Sequence, residues 1–127
     1  MTDKKYTILL VEDEKMLADM YATKFSMEGF ETKTAYDGAA GLELAKSFSP
    51  DIILLDIIMP KMDGFAVLKA IRENSSLKSV PVILLTNLGQ DEDIKKGKEL
   101  GATDYFVKAN HTPAEVVGKI RQILKIT

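Results

Sequence analysis

This sequence predicts an α/β fold built on a parallel β-sheet. Five short apolar segments alternate with five longer amphipathic or polar segments, a pattern expected of strands joined by helical crossovers. Three of the apolar segments are unbroken runs of Val, Ile and Leu, as strands covered on both faces require. The length of 127 residues suits one domain, so we expect a single domain over 1–127 with no output domain.

The predicted strands are the apolar segments, at residues 8–11, 30–35, 52–55, 82–85 and 105–107. The second of them alternates in polarity, because Glu31 and Lys33 interrupt it. This alternation indicates an edge strand with one side facing water.

The segments between the strands carry helix signals. Apolar residues recur at helical spacing between residues 17 and 25, and Gly29 stands where that first helix would stop. Asp37 is suited to cap a second helix, and Asp63 is suited to cap a third. Gly97 weakens the fourth helix, at residues 91–100, which we expect to be the most mobile element.

The last helix has the strongest start signal. Thr112 and Glu115 have the spacing of a capping box, and Pro113 stands at the first helical position. Apolar residues then recur at helical spacing as far as Leu124, so this segment is predicted to be an amphipathic helix.

Composition excludes several classes of function. With 17 basic and 19 acidic residues the net charge is −2, so we expect no direct binding to nucleic acid. No apolar stretch approaches the roughly 18 residues that a membrane span needs, so no membrane association is expected. The chain contains no cysteine, which excludes thiolate chemistry and fits a reducing compartment. A cytoplasmic protein is the resulting expectation.

Polar side chains follow four of the predicted strands at their carboxyl ends. They are Glu12 and Asp13 after the first strand, Asp56 after the third, Thr86 after the fourth and Lys108 after the fifth. In an open parallel sheet, ligands bind in the crevice beyond these ends. We therefore expect the five side chains to meet in one pocket, although they are distant in sequence.

Three carboxylates in one pocket require a cation to offset their repulsion. Mg²⁺, or Mn²⁺ in its place, prefers oxygen ligands and is often held by one or two carboxylates plus a phosphate oxygen. Asp56 interrupts an apolar run, where an unpaired carboxylate would be costly to bury. Two structural alternatives stay open, namely a core ion pair between Asp56 and Lys108 and an acidic helix start at Glu12 and Asp13.

Two further residue types receive a structural interpretation. His111 is the sole histidine and has no second ligand at metal-binding spacing, so we expect it to face solvent. The six methionines are expected mainly in core packing.

Two motifs closely resemble the bacterial receiver domain of response regulators. They are Ile-Leu-Leu-Val-Glu-Asp-Glu at residues 8–14 and Leu-Leu-Asp-Ile-Ile-Met-Pro-Lys-Met-Asp-Gly at residues 54–64. The resemblance extends over essentially the whole chain. It implies a doubly wound, flavodoxin-like fold with five strands in the order 2-1-3-4-5 and five helices on both faces of the sheet.

The resemblance also implies a phosphorylation chemistry. Asp56 would be the nucleophile that takes a phosphoryl group from a sensor histidine kinase or a phosphotransfer protein. Asp13 and Asp56 would ligate the metal directly, Glu12 would do so through water, and the backbone carbonyl of Ile58 would complete the protein ligands. The chain would then catalyse its own phosphorylation and dephosphorylation without turning over external substrates.

A conformational switch is the other implication. Thr86 and Lys108 would contact the phosphoryl oxygens, and Thr86 and Tyr105 would change position on phosphorylation. The surface of the fourth helix, last strand and last helix would then control binding to an unknown downstream protein, by a monomer or a phosphorylation-dependent dimer.

Two residues depart from the family pattern. Ala109 follows Lys108 where proline is usual, and Asn87 follows Thr86 where a small residue is usual. A degenerate receiver that serves as a phosphorylation-independent interaction module is therefore the main alternative. A flavodoxin or a dehalogenase-like phosphatase is disfavoured, because Glu-Asp-Glu follows the first strand and Ile58 stands where the phosphatase has a second acid.

Overall fold

The computed structural model describes residues 5–126, so residues 1–4 and 127 of the predicted domain lie outside the described part. A five-stranded parallel sheet forms its centre, with the strand order β2-β1-β3-β4-β5. The strands are β1 (Thr7–Val11), β2 (Glu31–Ala35), β3 (Ile52–Leu55), β4 (Val82–Thr86) and β5 (Asp104–Val107). The helices are α1 (Lys15–Met27), α2 (Gly38–Phe48), α3 (Gly64–Glu73), α4 (Asp91–Glu99) and α5 (Pro113–Leu124). The predicted fold class and strand order are confirmed.

Apolar side chains cover both faces of the sheet. On one face Leu9 and Leu55 pack with the inner sides of α2 and α3, and on the other Ile8 and Leu54 pack with α1 and α5. The burial of β1, β3 and β4 on both faces explains their unbroken apolar sequences. β2 pairs on one side only and alternates in exposure, as predicted for an edge strand.

The helix boundaries follow the predicted caps. Asp37 accepts a hydrogen bond from the amide of Ala40 at 2.7 Å, and Asp63 accepts one from Ala66 at 3.0 Å. Gly29 follows α1 with a φ of 92°, a left-handed conformation that glycine adopts without steric cost.

Both hydrogen bonds of the predicted capping box are present at the start of α5. The Thr112 hydroxyl accepts from the Glu115 amide at 3.1 Å, while the Glu115 carboxylate accepts from the Thr112 amide at 2.8 Å. That second hydrogen bond lowers the pKa of the Glu115 carboxyl. Pro113 occupies the first turn, where its missing N–H has no intrahelical partner to lose.

Thr112→Ala removes one arm of this box, and we expect it to lower the free energy of unfolding by about 1 kcal/mol. Urea unfolding followed by circular dichroism measures the change. Thr23→Ala on the exposed face of α1 is the control, because it deletes the same hydroxyl where no cap is involved. Equal losses in the two variants would contradict the role of the box.

The expectation for His111 is wrong, and the expected core packing of the methionines holds for Met59 and Met62 but fails for three others. Met16, Met20 and Met27 are 88%, 43% and 77% exposed, because α1 turns Ala18, Tyr21 and Phe25 toward the sheet and its opposite side toward solvent. His111 is half-buried, because its ring stacks on Phe106 with 4.5 Å between the ring centroids. The expected mobility of α4 stays a prediction.

None of the helices within the described part of the chain has the length and apolar character that crossing a membrane requires.

Candidate functional site

Polar side chains gather beyond the carboxyl ends of β1, β3, β4 and β5. The parallel register aligns Val11 with Leu55, so the residues that follow them, Glu12 and Asp56, begin side by side. The backbone continues this alignment, because the Asp56 amide donates to the Val11 carbonyl at 3.0 Å. The sheet itself therefore brings together residues that are far apart in sequence.

Three of these side chains form an acidic cluster. Glu12, Asp13 and Asp56 each offer a carboxylate oxygen, and these oxygens lie within 4.8 Å of one another. Glu12 and Asp56 are buried, at 2% and 7% exposure, whereas Asp13 is exposed. Hard oxygen donors at this spacing, open to solvent on one side, fit a divalent cation such as Mg²⁺ that retains several waters.

Lys108 contacts both buried carboxylates of this cluster and balances one of their two charges. Its ammonium donates to Asp56 Oδ2 at 2.9 Å and also to Glu12 Oε1. Burial raises the pKa of the Glu12 carboxyl above its usual value, and Lys108 only partly opposes that shift. Burial alone would lower the pKa of Lys108, but its hydrogen bonds to Glu12 and Asp56 outweigh burial and raise it.

Backbone amides hold the same carboxylates from the other side. Glu12 Oε2 accepts from the Glu14 amide at 3.0 Å, and Asp56 Oδ1 accepts from the Ile57 amide at 2.7 Å. Such bonds fix the carboxylate orientations before any ligand arrives. Glu14 thus has a positioning contact that the sequence did not suggest.

A cleft of ≈ 220 Å³ opens over the cluster. Its lining consists of Asp13, Glu14, Asp56, Ile58, Thr86, Asn87 and Lys108. The Ile58 side chain is 62% exposed at this opening, although large aliphatic side chains are ordinarily buried. The Lys108–Ala109 peptide is trans, like every other peptide bond among residues 5–126.

Thr86 and Tyr105 are joined through the backbone of Leu88. The Leu88 amide donates to Thr86 Oγ1 at 3.4 Å, and the Tyr105 hydroxyl donates to the Leu88 carbonyl. Burial, followed by the charges of Asp93 and Asp56, raises the pKa of Tyr105 to about 12. The Tyr105 ring is 9% exposed and lies inward, outside the cleft but linked through Leu88 to Thr86, which lines it.

Gly64 is a second residue whose positioning role was missed. A Cβ at this position would lie 2.2 Å from the Asp56 carbonyl oxygen, so only glycine allows α3 to begin so close to the cluster. Its amide donates to the Ile57 carbonyl at 2.8 Å. The signal was present in the sequence, since Gly64 directly follows the cap residue Asp63.

Comparison with known proteins gives consistent matches. A family model described as the response regulator receiver domain matches residues 8–121. A curated relative, the probable transcriptional regulator ycf27 of Guillardia theta, is 42% identical over 125 residues, which cover 98% of this chain and 48% of the relative. The chain spans about half the length of the curated relatives that it matches.

Solved structures match over nearly the whole chain. The chemotaxis protein CheY4 of Vibrio cholerae has a TM-score of 0.87 and 31% identity, over 94% of this chain and 98% of that one. A chain of the CheX-CheY-BeF3-Mg²⁺ complex from Borrelia burgdorferi has a TM-score of 0.86 and 31% identity, over 94% of this chain and 89% of that one.

Proposed function

Because this chain belongs to the response regulator receiver domain family, whose members act in phosphorylation-based two-component signalling, we propose that Asp56 is its phosphoryl acceptor. The observation that carries the proposal is the charge of the cleft. Three carboxylates face one ammonium, which leaves two negative charges for a divalent cation to balance. A cluster built only for stability would not need this excess, since the two buried carboxylates alone outnumber the Lys108 ammonium and an unbalanced buried charge is costly.

The proposed reaction moves one phosphoryl group. An Asp56 carboxylate oxygen attacks the phosphorus of a phosphohistidine on a sensor kinase or phosphotransfer protein. The phosphorus–nitrogen bond breaks, its electron pair stays on the imidazole nitrogen, and an aspartyl phosphate forms. Lys108 then stabilises charge on the phosphoryl oxygens, and Thr86 donates its hydroxyl to another of them. Turnover of external substrates is not part of this proposal.

Glu12, Asp13 and Asp56 would hold Mg²⁺ or Mn²⁺ with the backbone carbonyl of Ile58, and Glu12 would act through a bound water. The cation would neutralise the charge that develops on the transferred group. The Borrelia burgdorferi neighbour was solved as a complex that includes both BeF3 and Mg²⁺, which supports the proposal of such a cation for this chain.

Phosphorylation would be transmitted through Thr86 and Tyr105. The Thr86 hydroxyl bonds to the Leu88 amide, so its movement toward a phosphoryl oxygen would break that contact and disturb the Leu88 carbonyl that holds Tyr105. The surface of α4, β5 and α5 would then change its affinity for a downstream protein, in a monomer or a phosphorylation-dependent dimer.

A further role is named for longer relatives of this chain. Curated relatives of about twice this length are named transcriptional regulators, which favours a DNA-binding output for the relatives' full chains. For the 127 residues of this chain, the net charge of −2 still predicts no direct contact with nucleic acid.

The test is incubation with Mg²⁺ and a small acyl phosphate, followed by intact mass analysis. We expect a mass increase of one phosphoryl group, which disappears when a chelator removes the Mg²⁺. Absence of an adduct with this donor and with histidine kinases would favour the phosphorylation-independent interaction module instead.

A further inference from the structure

α4 meets the sheet through a glycine. Gly97 is the one buried residue of α4, and the half-buried Ile94 and Leu100 pack against the same core cluster before and after it in the chain. A glycine inside a helix weakens that helix, so its presence at the closest contact points to a steric requirement.

Two side chains fill the space where a Cβ of residue 97 would stand. That atom would lie 2.6 Å from Leu84 Cδ1, closer than carbon atoms approach in packed interiors, and 3.1 Å from Tyr105 Cδ2, a tight contact that requires the ring to shift by a few tenths of an ångström. Leu84 is fully buried within β4, and the neighbours that enclose it leave it little room to move. The Tyr105 ring is 9% exposed and lies on β5, an edge strand of the sheet, so of the two side chains it is the nearer to solvent.

The inward position of Tyr105 thus has two supports. The Tyr105 hydroxyl donates a hydrogen bond to the Leu88 carbonyl. The Tyr105 ring lies against the backbone of Gly97, in space that a larger residue would occupy. Leu88 also binds Thr86, so the ring position and the cleft share one loop.

We propose that Gly97 is a positioning residue for Tyr105, whose missing side chain lets α4 lie close enough to the sheet for the ring to stay inward. Residue 97 thereby favours the inward position of the Tyr105 ring, and with it one conformation of the α4–β5–α5 surface, without contacting the acidic cleft. This inference rests on the proposed function, because Tyr105 matters here as the switch residue.

The test is Gly97→Ala, read by the solvent exposure of each tyrosine ring. Nuclear magnetic resonance with a soluble paramagnetic agent measures that exposure, and the Tyr105 signals are assigned by their loss in Tyr105→Phe. Two tyrosines serve as internal references, since Tyr21 is 2% exposed and Tyr36 is 43% exposed. We expect Tyr105 to behave like Tyr21 in the wild type and like Tyr36 in Gly97→Ala.

Two variants separate this steric effect from a general one. Gly118→Ala makes the same change in α5, where nothing lies within 4 Å of the added carbon, and we expect it to leave Tyr105 shielded. Leu84→Val combined with Gly97→Ala removes the nearest clashing atom, and we expect this pair to restore the shielded ring. A merely destabilising substitution would not be rescued by a smaller core residue.

A Tyr105 ring that stays shielded in folded Gly97→Ala would overturn the proposal, as would a failure of Leu84→Val to restore shielding. If Gly97→Ala does not fold, Leu84→Val combined with Gly97→Ala is measured in its place. An exposed Tyr105 ring in this double variant, or its failure to fold, would count against the proposal. These measurements need no phosphorylation. Binding of beryllofluoride with Mg²⁺ to the wild type is followed separately, so its absence would count against the proposed function alone.

Discussion

Asp56→Asn leaves the protein without a phosphoryl adduct under conditions that phosphorylate the wild type. The amide has nearly the shape of the carboxylate but lacks its nucleophilic charge, and we expect the adduct to fall to roughly a hundredth of the wild-type level or less. Intact mass analysis after incubation with Mg²⁺ and a small acyl phosphate measures this. The exposed Asp13 would remain, so the loss would identify which carboxylate reacts.

Asp63→Asn is the matched control for this experiment. It makes the same chemical change seven positions along the chain, in an exposed side chain that caps α3. Asparagine caps helices as well as aspartate does, so the fold and the adduct should both persist. An adduct that survives in Asp56→Asn would show that another nucleophile accepts the phosphoryl group.

The fold was predictable because local and global signals agree. Apolar runs in β3 and β4 require cover on both faces, and the caps at Asp37, Asp63 and Thr112 fix where three helices begin. The strand order was supplied by resemblance to a family, since periodicity does not say which strands are neighbours. Strand ends differed from prediction by a residue, because pairing extends to Thr7, Thr86 and Asp104, whereas β2 begins at Glu31 and not at Phe30.

The composition of the cleft was also predictable, but its internal contacts were not. Residues at the carboxyl ends of parallel strands must share an edge, so Glu12, Asp56 and Lys108 were expected together. That one ammonium contacts both carboxylates depends on side-chain directions, which the sequence does not encode locally. The close approach at Gly97 and the stacking of His111 on Phe106 were missed for the same reason.

Because one ammonium serves two carboxylates, removing an anion and removing the ammonium should have different effects on the free energy of unfolding. Removing one anion, as in Asp56→Asn, leaves Lys108 paired with Glu12 and reduces repulsion. We expect the free energy of unfolding without Mg²⁺ to stay unchanged or rise by about 1 kcal/mol. Removing the Lys108 ammonium instead leaves two buried carboxylates with no side chain of opposite charge beside them. This change should lower the free energy of unfolding.

Lys108→Met should therefore lower the free energy of unfolding by about 3–5 kcal/mol when a chelator is present. Methionine keeps the length and apolar stem of lysine, so the loss reports the missing ammonium. The Lys108 side chain is 9% exposed and those of Glu12 and Asp56 are 3% and 9% exposed, which leaves little solvent to screen the two anions. Urea unfolding at neutral pH measures the change.

Mg²⁺ should recover much of that loss in Lys108→Met and stabilise the wild type less. In the wild type a cation must compete with the ammonium for Glu12 and Asp56, whereas in the variant it meets free carboxylates, so its binding to the folded state is tighter. Lys46→Met is the control, because the Lys46–Glu43 pair at 3.4 Å is solvent-exposed and should contribute at most about 0.5 kcal/mol. If Lys108→Met and the wild type unfold at the same urea concentration in chelator, the two buried carboxylates do not depend on Lys108. The excess negative charge of the cleft would then not require a divalent cation to balance it.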